Sequence, residues 1–215
     1  MIVAIARHIA PASAQLKTGT WDRKSWVGGE LYGKTLAVIG LGRIGREVAH
    51  RMQAFGMCVI GYDPFVNAEQ AKQFNIEALP LEQIWPLADV ITLHVPLLDH
   101  TRNLMNTKTF DQCKRGVYVV NCARGGILNE DDAVAALESG QLGGVAVDVY
   151  DPEPPTNRRF VEHARVLSTP HLGASTREAQ VRVAVEVAEQ LVALVNGKSV
   201  WGCVNPETLP RFAFN

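Results

Sequence analysis

The sequence predicts an α/β fold, in which a doubly wound parallel sheet is covered by helices on both faces. The first observation behind this prediction is that short apolar runs of strand length alternate with amphipathic stretches of helix length. The second is a glycine-rich turn between the first of these runs and the helix that follows it. The third is that polar residues cluster just after several predicted strands, where sheets of this kind bind their ligands.

The composition excludes several classes of protein. The 215 residues are 47% hydrophobic and 20% charged, and the net charge of −1 offers no broad field for nucleic acid or an anionic membrane. The longest apolar runs are too short to span a membrane. The four cysteines show neither CxxC pairing nor a metal-like spacing with histidine. This predicts reduced thiols, a cytoplasmic protein and no metal site (Cys58, Cys113, Cys122, Cys203).

The chain begins with a predicted helix and an irregular aromatic segment. Residues 2–18 predict a helix that Pro11 must kink or split. Its apolar side consists of Ile2, Ile5, Ile9 and Leu16. Residues 19–33 carry two tryptophans and four glycines, which suits neither a regular element nor a plain linker. Two interpretations stay open: the segment is an arm that packs on a partner subunit, or Trp21 and Trp26 cover the core of this chain.

Residues 34–64 form the unit around which the predicted sheet is built. The apolar run over 35–39 predicts a buried strand, and a glycine turn follows it. An amphipathic helix comes next, and its apolar positions are Ile44, Val48, Met52 and Phe55. A second apolar run then leads to Asp63. The pattern of a dinucleotide-binding unit is a strand, a glycine turn, a helix, a second strand and an acid, and this segment has these parts in this order.

Each part of this unit has a physical role. Gly40 permits a tight turn off the strand, Gly42 lets the backbone approach a pyrophosphate, and Gly45 lets the helix pack close to the strand. The unpaired N–H groups of the helix N-terminus stabilise an anion. Asp63 accepts hydrogen bonds from the adenosine ribose and repels a 2′-phosphate, which predicts NAD rather than NADP. The alternative is a glycine turn with a structural role alone.

The alternation continues to the end of the chain and indicates a parallel sheet. Further strands are predicted over 76–79, 89–94, 117–121, 145–149 and 165–168. Further helices are predicted over 67–74, 81–87, 107–113, 129–139 and 174–196. The helix over 129–139 begins with an acidic turn that favours the helix dipole.

Four polar sites follow predicted strands and can therefore converge on one cleft. They are His94, residues 121–124, residues 148–153 and His171. Arg124 is followed by two glycines that keep the backbone bare around its guanidinium, a group that binds a carboxylate bidentately. His94 lies close to the expected cofactor position, but a packing role explains it equally well.

Glu153 and His171 can form a carboxylate–imidazole pair, which favours the imidazolium and holds the ring. Such a pair suits a general base that takes a hydroxyl proton while a hydride leaves the same carbon. Each residue also has a plain alternative. Arg124 can be a surface cation, Glu153 a solvated acid and His171 the neighbour of a helix cap.

Several motifs together resemble the D-isomer-specific 2-hydroxyacid dehydrogenases. They are GLGRIG with Asp63, NCARGG at 121–126, DVYDPEPP at 148–155 and PHLGAST at 170–176. The resemblance implies a Rossmann-type NAD-binding domain and a catalytic set of Arg124, Glu153 and His171. In this set His171 exchanges the proton of the substrate 2-hydroxyl, Glu153 orients His171, and Arg124 holds the substrate carboxylate or carbonyl.

The resemblance also implies a set of cofactor-binding residues. Arg43 and Ile44 match the pyrophosphate turn, Asp63 the ribose, and Asp148 the nicotinamide carboxamide. The full implied set is Gly40, Gly42, Arg43, Ile44, Gly45, Asp63, Val95, Pro96, Cys122, Ala123, Arg124, Asp148, His171, Gly173 and Ala174.

Within the family, the strings LGRIGREVA, IWPLAD and HLGASTREAQ indicate members that oxidise 3-phosphoglycerate to 3-phosphohydroxypyruvate, the first step of serine biosynthesis. Residues 1–33 are expected to form the connecting helix and a dimerisation arm, and residues 34–173 the NAD-binding domain. Residues 174–215 are expected to lead back to a largely absent substrate domain. We therefore expect a truncated chain that belongs to a homodimeric enzyme, binds NAD and turns substrate over weakly or not at all.

Two alternatives to this function stay open. The first is another D-2-hydroxyacid dehydrogenase that acts on hydroxypyruvate, glyoxylate or lactate and shares the same catalytic set. The second is an NAD(H)-sensing scaffold similar to the corepressors of the C-terminal-binding type. These corepressors carry an aromatic residue after the histidine, whereas this sequence has Leu172 to Thr176 there, which argues against them.

Overall fold

The computed structural model describes residues 1–198 and shows a seven-stranded, fully parallel sheet in the order β3-β2-β1-β4-β5-β6-β7. The strands are β1 Thr35–Ile39, β2 Cys58–Tyr62, β3 Glu77–Ala78, β4 Val90–Leu93, β5 Val117–Asn121, β6 Leu142–Val147 and β7 Val166–Ser168. The strand order reverses between β1 and β4, so a crevice opens beyond their carboxyl ends. The predicted α/β class, with a doubly wound parallel sheet, is confirmed.

Helices of the first unit cover both faces of the sheet. The helices of the described residues are α1 Ile2–Ala6, α2 Ile9–Lys17, α3 Arg43–Ala54, α4 Ala68–Lys72, α5 Leu81–Ile84, α6 Thr107–Phe110, α7 Glu130–Ser139, α8 Arg158–Val161 and, in the second unit, α9 Arg177–Val195. One apolar core packs α1, α3 and α4 against the sheet, through side chains such as Ile5, Met52 and Ala71. The other core packs α5 to α8 against the opposite face, through side chains such as Phe110 and Phe160.

The N-terminal helix is split, but the break lies before the proline. The chain bends at Arg7 and His8, and His8 has a left-handed backbone with φ of 51°. Pro11 lies in the first turn of α2, where the missing N–H costs nothing because first-turn N–H groups have no intrahelical partner. The predicted apolar side therefore does not stay continuous: Ile2 and Ile5 are buried, whereas Ile9 and Leu16 are exposed.

Helix α3 buries only the middle of the side that was predicted. Met52 is buried and Val48 is partly buried against the core, whereas Ile44 is 67% exposed and Phe55 is also exposed. Gly45 and Ala49 are buried as well. Ile44 is directed instead towards the cavity described below. Strand β6 also differs from the prediction, since it begins at Leu142 rather than at 145 and ends at Val147. Two glycines inside it hid its first half, because glycine is a poor strand former.

The chain divides into two compact units, residues 1–170 and a second unit that begins at His171. In the second unit, the Thr176 side chain caps α9 by accepting a hydrogen bond from the Ala179 N–H at 3.1 Å. Across residues 1–198, no helix is long and apolar enough to cross a membrane. In the same range, no group of three or more His, Cys, Asp or Glu side chains is arranged to hold a metal ion. Cys203 and the rest of the predicted return segment after residue 198 lie outside the described residues.

Candidate cofactor and active site

The glycine turn joins β1 to α3 through two very close backbone approaches. The N–H of Gly40 donates to the carbonyl of Tyr62 at 2.8 Å, and Gly40 has a φ of +99° that favours glycine. A Cβ added to Gly45 would lie 2.0 Å from the carbonyl oxygen of Gly40. The first turn of α3 can therefore pack on the end of β1 only if residue 45 is glycine.

Gly42 is surrounded by open space. Among residues 1–198, a Cβ added to this residue would meet no atom within 4 Å apart from its own chain neighbours, and its backbone is extended rather than left-handed. The fold itself therefore does not require a glycine here. Gly42 caps the N-terminus of the 12-residue helix α3, whose first N–H groups lack intrahelical partners. A bare backbone beside a helix N-terminus fits a pyrophosphate, so the turn fits a dinucleotide cofactor.

The carboxylate of Asp63 is held beside this turn by two backbone N–H groups. Leu41 donates to one of its oxygens at 2.8 Å, and Phe65 donates to the other at 2.8 Å. Both bonds fix the orientation of the carboxylate at the end of β2. Each oxygen keeps a further lone pair that can accept a hydroxyl, as a ribose requires.

A cavity of about 250 Å³ lies beyond the carboxyl ends of β1, β4 and β5. It is lined by Ile44, His94, Val95, Pro96, Cys122, Ala123 and Arg124. All of these except His94 are residues that the sequence predicts to bind the cofactor. The structure therefore brings together side chains from the helix after the glycine turn and from the loops after β4 and β5.

His94 is held neutral at the centre of this crevice. Burial lowers the pKa of its imidazole to about 4. Its Nε2 lies 3.0 Å from the hydroxyl oxygen of Thr92, and its backbone N–H donates to Ile39 at 2.7 Å. The backbone bond ties β4 to β1 at the point where the strand order reverses.

The loop after β5 is shaped by the side chain of Asn121. Its amide oxygen accepts from the N–H of Ala123 at 3.1 Å, and its amide nitrogen donates to the carbonyl of Arg124 at 2.9 Å. The guanidinium of Arg124 is exposed and donates to the Ala123 carbonyl at 2.6 Å. The neighbouring Cys122 has a thiol whose pKa is raised to about 11 by burial and by the negative charge of Asp148.

The loop after β6 carries the two predicted carboxylates. Asp148 is buried, and the hydroxyl of Thr169 donates to it at 2.5 Å. Glu153 is exposed, and one of its carboxylate oxygens accepts from the N–H of Tyr150 at 3.0 Å. Neither Thr169 nor Tyr150 carried a signal in the sequence, because Thr169 lies 21 residues from Asp148 along the chain and Tyr150 binds Glu153 through a backbone N–H, which almost any residue supplies.

His171, Gly173 and Ala174 belong to the second unit. All three are exposed, and His171 has a left-handed backbone with φ of 54°. A left-handed conformation is uncommon for a residue with a Cβ and directs the chain sharply at this position.

The fold and the crevice together define a dinucleotide-binding domain. The family model for the "D-isomer specific 2-hydroxyacid dehydrogenase, NAD binding domain" matches residues 1–173, so the chain belongs to this family and contains its NAD-binding domain.

The chain is similar to two dehydrogenases over nearly its whole length. It is 56% identical over 209 residues to D-3-phosphoglycerate dehydrogenase of Rattus norvegicus, a match that covers 97% of this chain and 39% of the relative. It is 44% identical over 214 residues to the enzyme of the same name from Bacillus subtilis (strain 168), covering 100% of this chain and 41% of the relative. The chain thus spans about two fifths of the length of these relatives.

The fold is also shared with solved structures. D-lactate dehydrogenase from Escherichia coli matches with a TM-score of 0.84 at 30% identity, over 93% of this chain and 63% of that one.

Proposed function

We propose that the protein to which this chain belongs is a cytoplasmic, NAD-dependent enzyme that oxidises 3-phosphoglycerate to 3-phosphohydroxypyruvate, the first step of serine biosynthesis. The observation that carries this proposal is the likeness, over 95% or more of this chain, to both an animal and a bacterial enzyme named for that substrate. The crevice beside the glycine turn supplies the cofactor site that such an enzyme needs. Residues 1–198 contain most of the proposed NAD site, and relatives of this chain have substantial further sequence.

In the proposed reaction, this chain contributes three residues that act on the substrate. Arg124 binds the carboxylate of the 2-hydroxyacid, which orients the C2–H bond and neutralises the negative charge. His171 takes the proton of the 2-hydroxyl, and Glu153 orients the imidazole and stabilises the imidazolium that forms. When bound, NAD accepts the hydride that leaves C2 as the carbonyl forms.

The proposed cofactor site uses the residues that the sequence predicts. Gly40, Gly42 and Gly45 with Arg43 and Ile44 hold the pyrophosphate, and Asp63 binds the ribose. Val95, Pro96, Cys122 and Ala123 line the crevice, and Asp148, held by Thr169, receives the nicotinamide carboxamide. Gly173 and Ala174 complete the proposed set.

A second candidate is another D-2-hydroxyacid dehydrogenase. It is favoured by the structural likeness to a glyoxylate reductase from Paecilomyes thermophila, with a TM-score of 0.83 at 32% identity over 89% of this chain and 58% of that one. Steady-state rates with 3-phosphoglycerate, glycerate, glycolate and D-lactate decide between the two. A kcat/KM for 3-phosphoglycerate no higher than that for the other acids would overturn the first proposal.

The cofactor part of the proposal is tested by calorimetric titration of NADH and NADPH into this chain and into Asp63→Ala. We expect the wild type to bind NADH and to discriminate against NADPH. The variant should lose about tenfold or more in NADH affinity, because hydrogen bonds to a charged group contribute about 1.5–3 kcal/mol, and it should lose most of the discrimination. Glu69→Ala, which removes an exposed acid in the first turn of α4, is the control and should behave as the wild type. Absence of NADH binding to the wild type would contradict the proposal.

We also propose that the enzyme is a homodimer and that the segment 19–33 takes part in the contact. Trp21 is 76% exposed and Val27 is 78% exposed, so these side chains do not cover the core of this chain. Trp26 packs instead on helix α2, where its indole N–H donates to the side chain of Gln15. Exposed apolar side chains on one short segment are typical of a surface that a partner covers.

A further inference from the structure

Tyr150 lies directly after the loop residue Val149 and touches three separate segments of the chain. Its side chain is only 6% exposed. Its carbonyl oxygen faces Gly125 so closely that a Cβ on residue 125 would lie 1.9 Å from it. Its N–H donates to a carboxylate oxygen of Glu153 at 3.0 Å, and its hydroxyl donates to the carbonyl of Thr169 at 2.8 Å.

These three segments are the ones that carry the proposed catalytic residues. Gly125 follows Arg124 directly, Glu153 is itself one of the three, and Thr169 precedes His171 by two residues. One tyrosine therefore bonds or abuts the chain within two residues of every member of the set.

Thr169 is held by two hydrogen bonds. Its carbonyl accepts the hydroxyl of Tyr150, and its own hydroxyl donates to the buried carboxylate of Asp148. Asp148 and Tyr150 are two residues apart, so one short stretch of chain holds Thr169 from both its backbone and its side chain. Burial, followed by the charge of Asp148, raises the pKa of Tyr150, which keeps its hydroxyl protonated as a donor.

The aromatic ring makes this arrangement stiff. A tyrosine ring is a rigid body with two side-chain torsions, and its burial against the core leaves its hydroxyl little freedom. Breaking a buried hydrogen bond costs free energy, which favours retention of the bond from the Tyr150 hydroxyl to the Thr169 carbonyl. Motion of the chain at residue 169 is thus coupled to the position of the Tyr150 ring.

We propose that Tyr150 is a positioning residue that fixes the Glu153 carboxylate and the segment leading to His171, in addition to the proposed catalytic set. This inference rests on the proposed function, because it assigns Tyr150 a role in orienting that set. Tyr150 touches no reacting atom. It acts through the backbone bond to Glu153 and through the hydroxyl bond to Thr169.

The test removes one oxygen atom. Tyr150→Phe keeps the ring and the two backbone contacts and deletes the hydroxyl, with its bond to the Thr169 carbonyl and its contact with the Ser168 side chain. The readout is the steady-state oxidation of 3-phosphoglycerate by the whole enzyme. We expect kcat to fall about tenfold in the variant, because a less precisely placed general base takes up the proton more slowly. The KM for NAD and the NADH affinity are expected to change less than threefold.

Tyr118→Phe is the matched control, because Tyr118 lies in β5 and packs against the other core. It is expected to leave kcat at the wild-type value. Thr169→Val deletes the hydroxyl bonded to Asp148, so it loosens the chain at residue 169 from the other side and is expected to lower kcat as Tyr150→Phe does.

The outcomes separate the two proposals. A wild type that binds no NADH overturns the proposed function. A wild type that binds NADH and oxidises 3-phosphoglycerate, together with an unchanged kcat in both Tyr150→Phe and Thr169→Val, overturns the role of Tyr150 and leaves the proposed function standing. Circular dichroism of each variant establishes that it is folded, and if Tyr150→Phe alone were unfolded, Thr169→Val would decide the question.

Discussion

Gly42 and Gly45 are three residues apart in one turn, but the surroundings that a Cβ would meet differ between the two positions. At Gly45 the obstacle is the protein itself, since the Gly40 carbonyl lies 2.0 Å from the position of a Cβ. At Gly42 no atom of residues 1–198, apart from its chain neighbours, lies within 4 Å of that position. The fold therefore requires the second glycine of this pair, whereas the first is the one that we propose to serve the cofactor.

Alanine substitution at these two positions should separate binding from stability. Gly42→Ala is expected to change stability by less than about 1 kcal/mol, because the reduced freedom of the unfolded chain is offset by the poorer fit of alanine at a helix N-cap. It should weaken NADH binding about tenfold or more. Gly45→Ala should cost about 1–3 kcal/mol of stability, because the added methyl group overpacks the turn. Urea unfolding and NADH titration of both variants check this, and a loss of stability in Gly42→Ala as large as that in Gly45→Ala would contradict it.

His94 makes the stability of the protein depend on pH. Its pKa in the folded protein is about 4, below the ordinary value of 6.5, so the unfolded chain binds the proton more readily. Stability is therefore highest above pH 6.5 and falls as the pH drops from 6.5 towards 4. A shift of this size is linked to at most about 3 kcal/mol, of which up to about 2 kcal/mol is lost between pH 7 and pH 5.

This dependence is measured by urea unfolding at pH 7 and pH 5. His94→Asn should lose clearly less stability than the wild type over that interval, because it cannot take up the proton. His100→Asn, which alters an exposed imidazole in a loop, should lose as much as the wild type. Equal losses in all three proteins would show that His94 does not contribute.

At the scale of elements, the strands were predictable because each consists of apolar residues that pack on both faces of the sheet. Thr35–Ile39 and Val117–Asn121 are found as predicted. Predictions that differed from the structure, such as the start of β6, did so because of tertiary contacts. Residue 143 is a glycine inside β6 because a Cβ there would lie 2.4 Å from the Gly116 carbonyl oxygen, and a local pattern does not contain that neighbour.

The site was predictable to a similar degree and for a similar reason. The glycine turn and Asp63 form one contiguous pattern, so their geometry followed from spacing. Arg124 lines the cavity, which is where a residue that follows a strand end is expected to lie. The contacts of Tyr150 and Thr169 join loops that are far apart in the sequence, and only the packed sheet brings them together.

At the scale of the whole molecule, the exposed apolar side chains of the segment 19–33 predict self-association. The chain should sediment as a dimer at micromolar concentration and above. Replacing both Trp21 and Val27 with glutamate should shift it to monomer, because the contact would then bury unpaired charges. Phe65→Glu, a change at an exposed aromatic outside the segment, should leave the dimer intact. A wild type that stays monomeric at high concentration would contradict the prediction.

The two outer strands of the sheet are its shortest, with two residues in β3 and three in β7. An unpaired strand edge is a template on which another chain can add a strand, and long edges lead to aggregation and fibres. Here one edge offers Glu77 and Ala78 and the other Val166 to Ser168, too few backbone groups to hold a foreign strand. Copies of this protein can therefore reach high concentration without their sheets joining edge to edge. Concentrated preparations should stay clear and bind no amyloid dye.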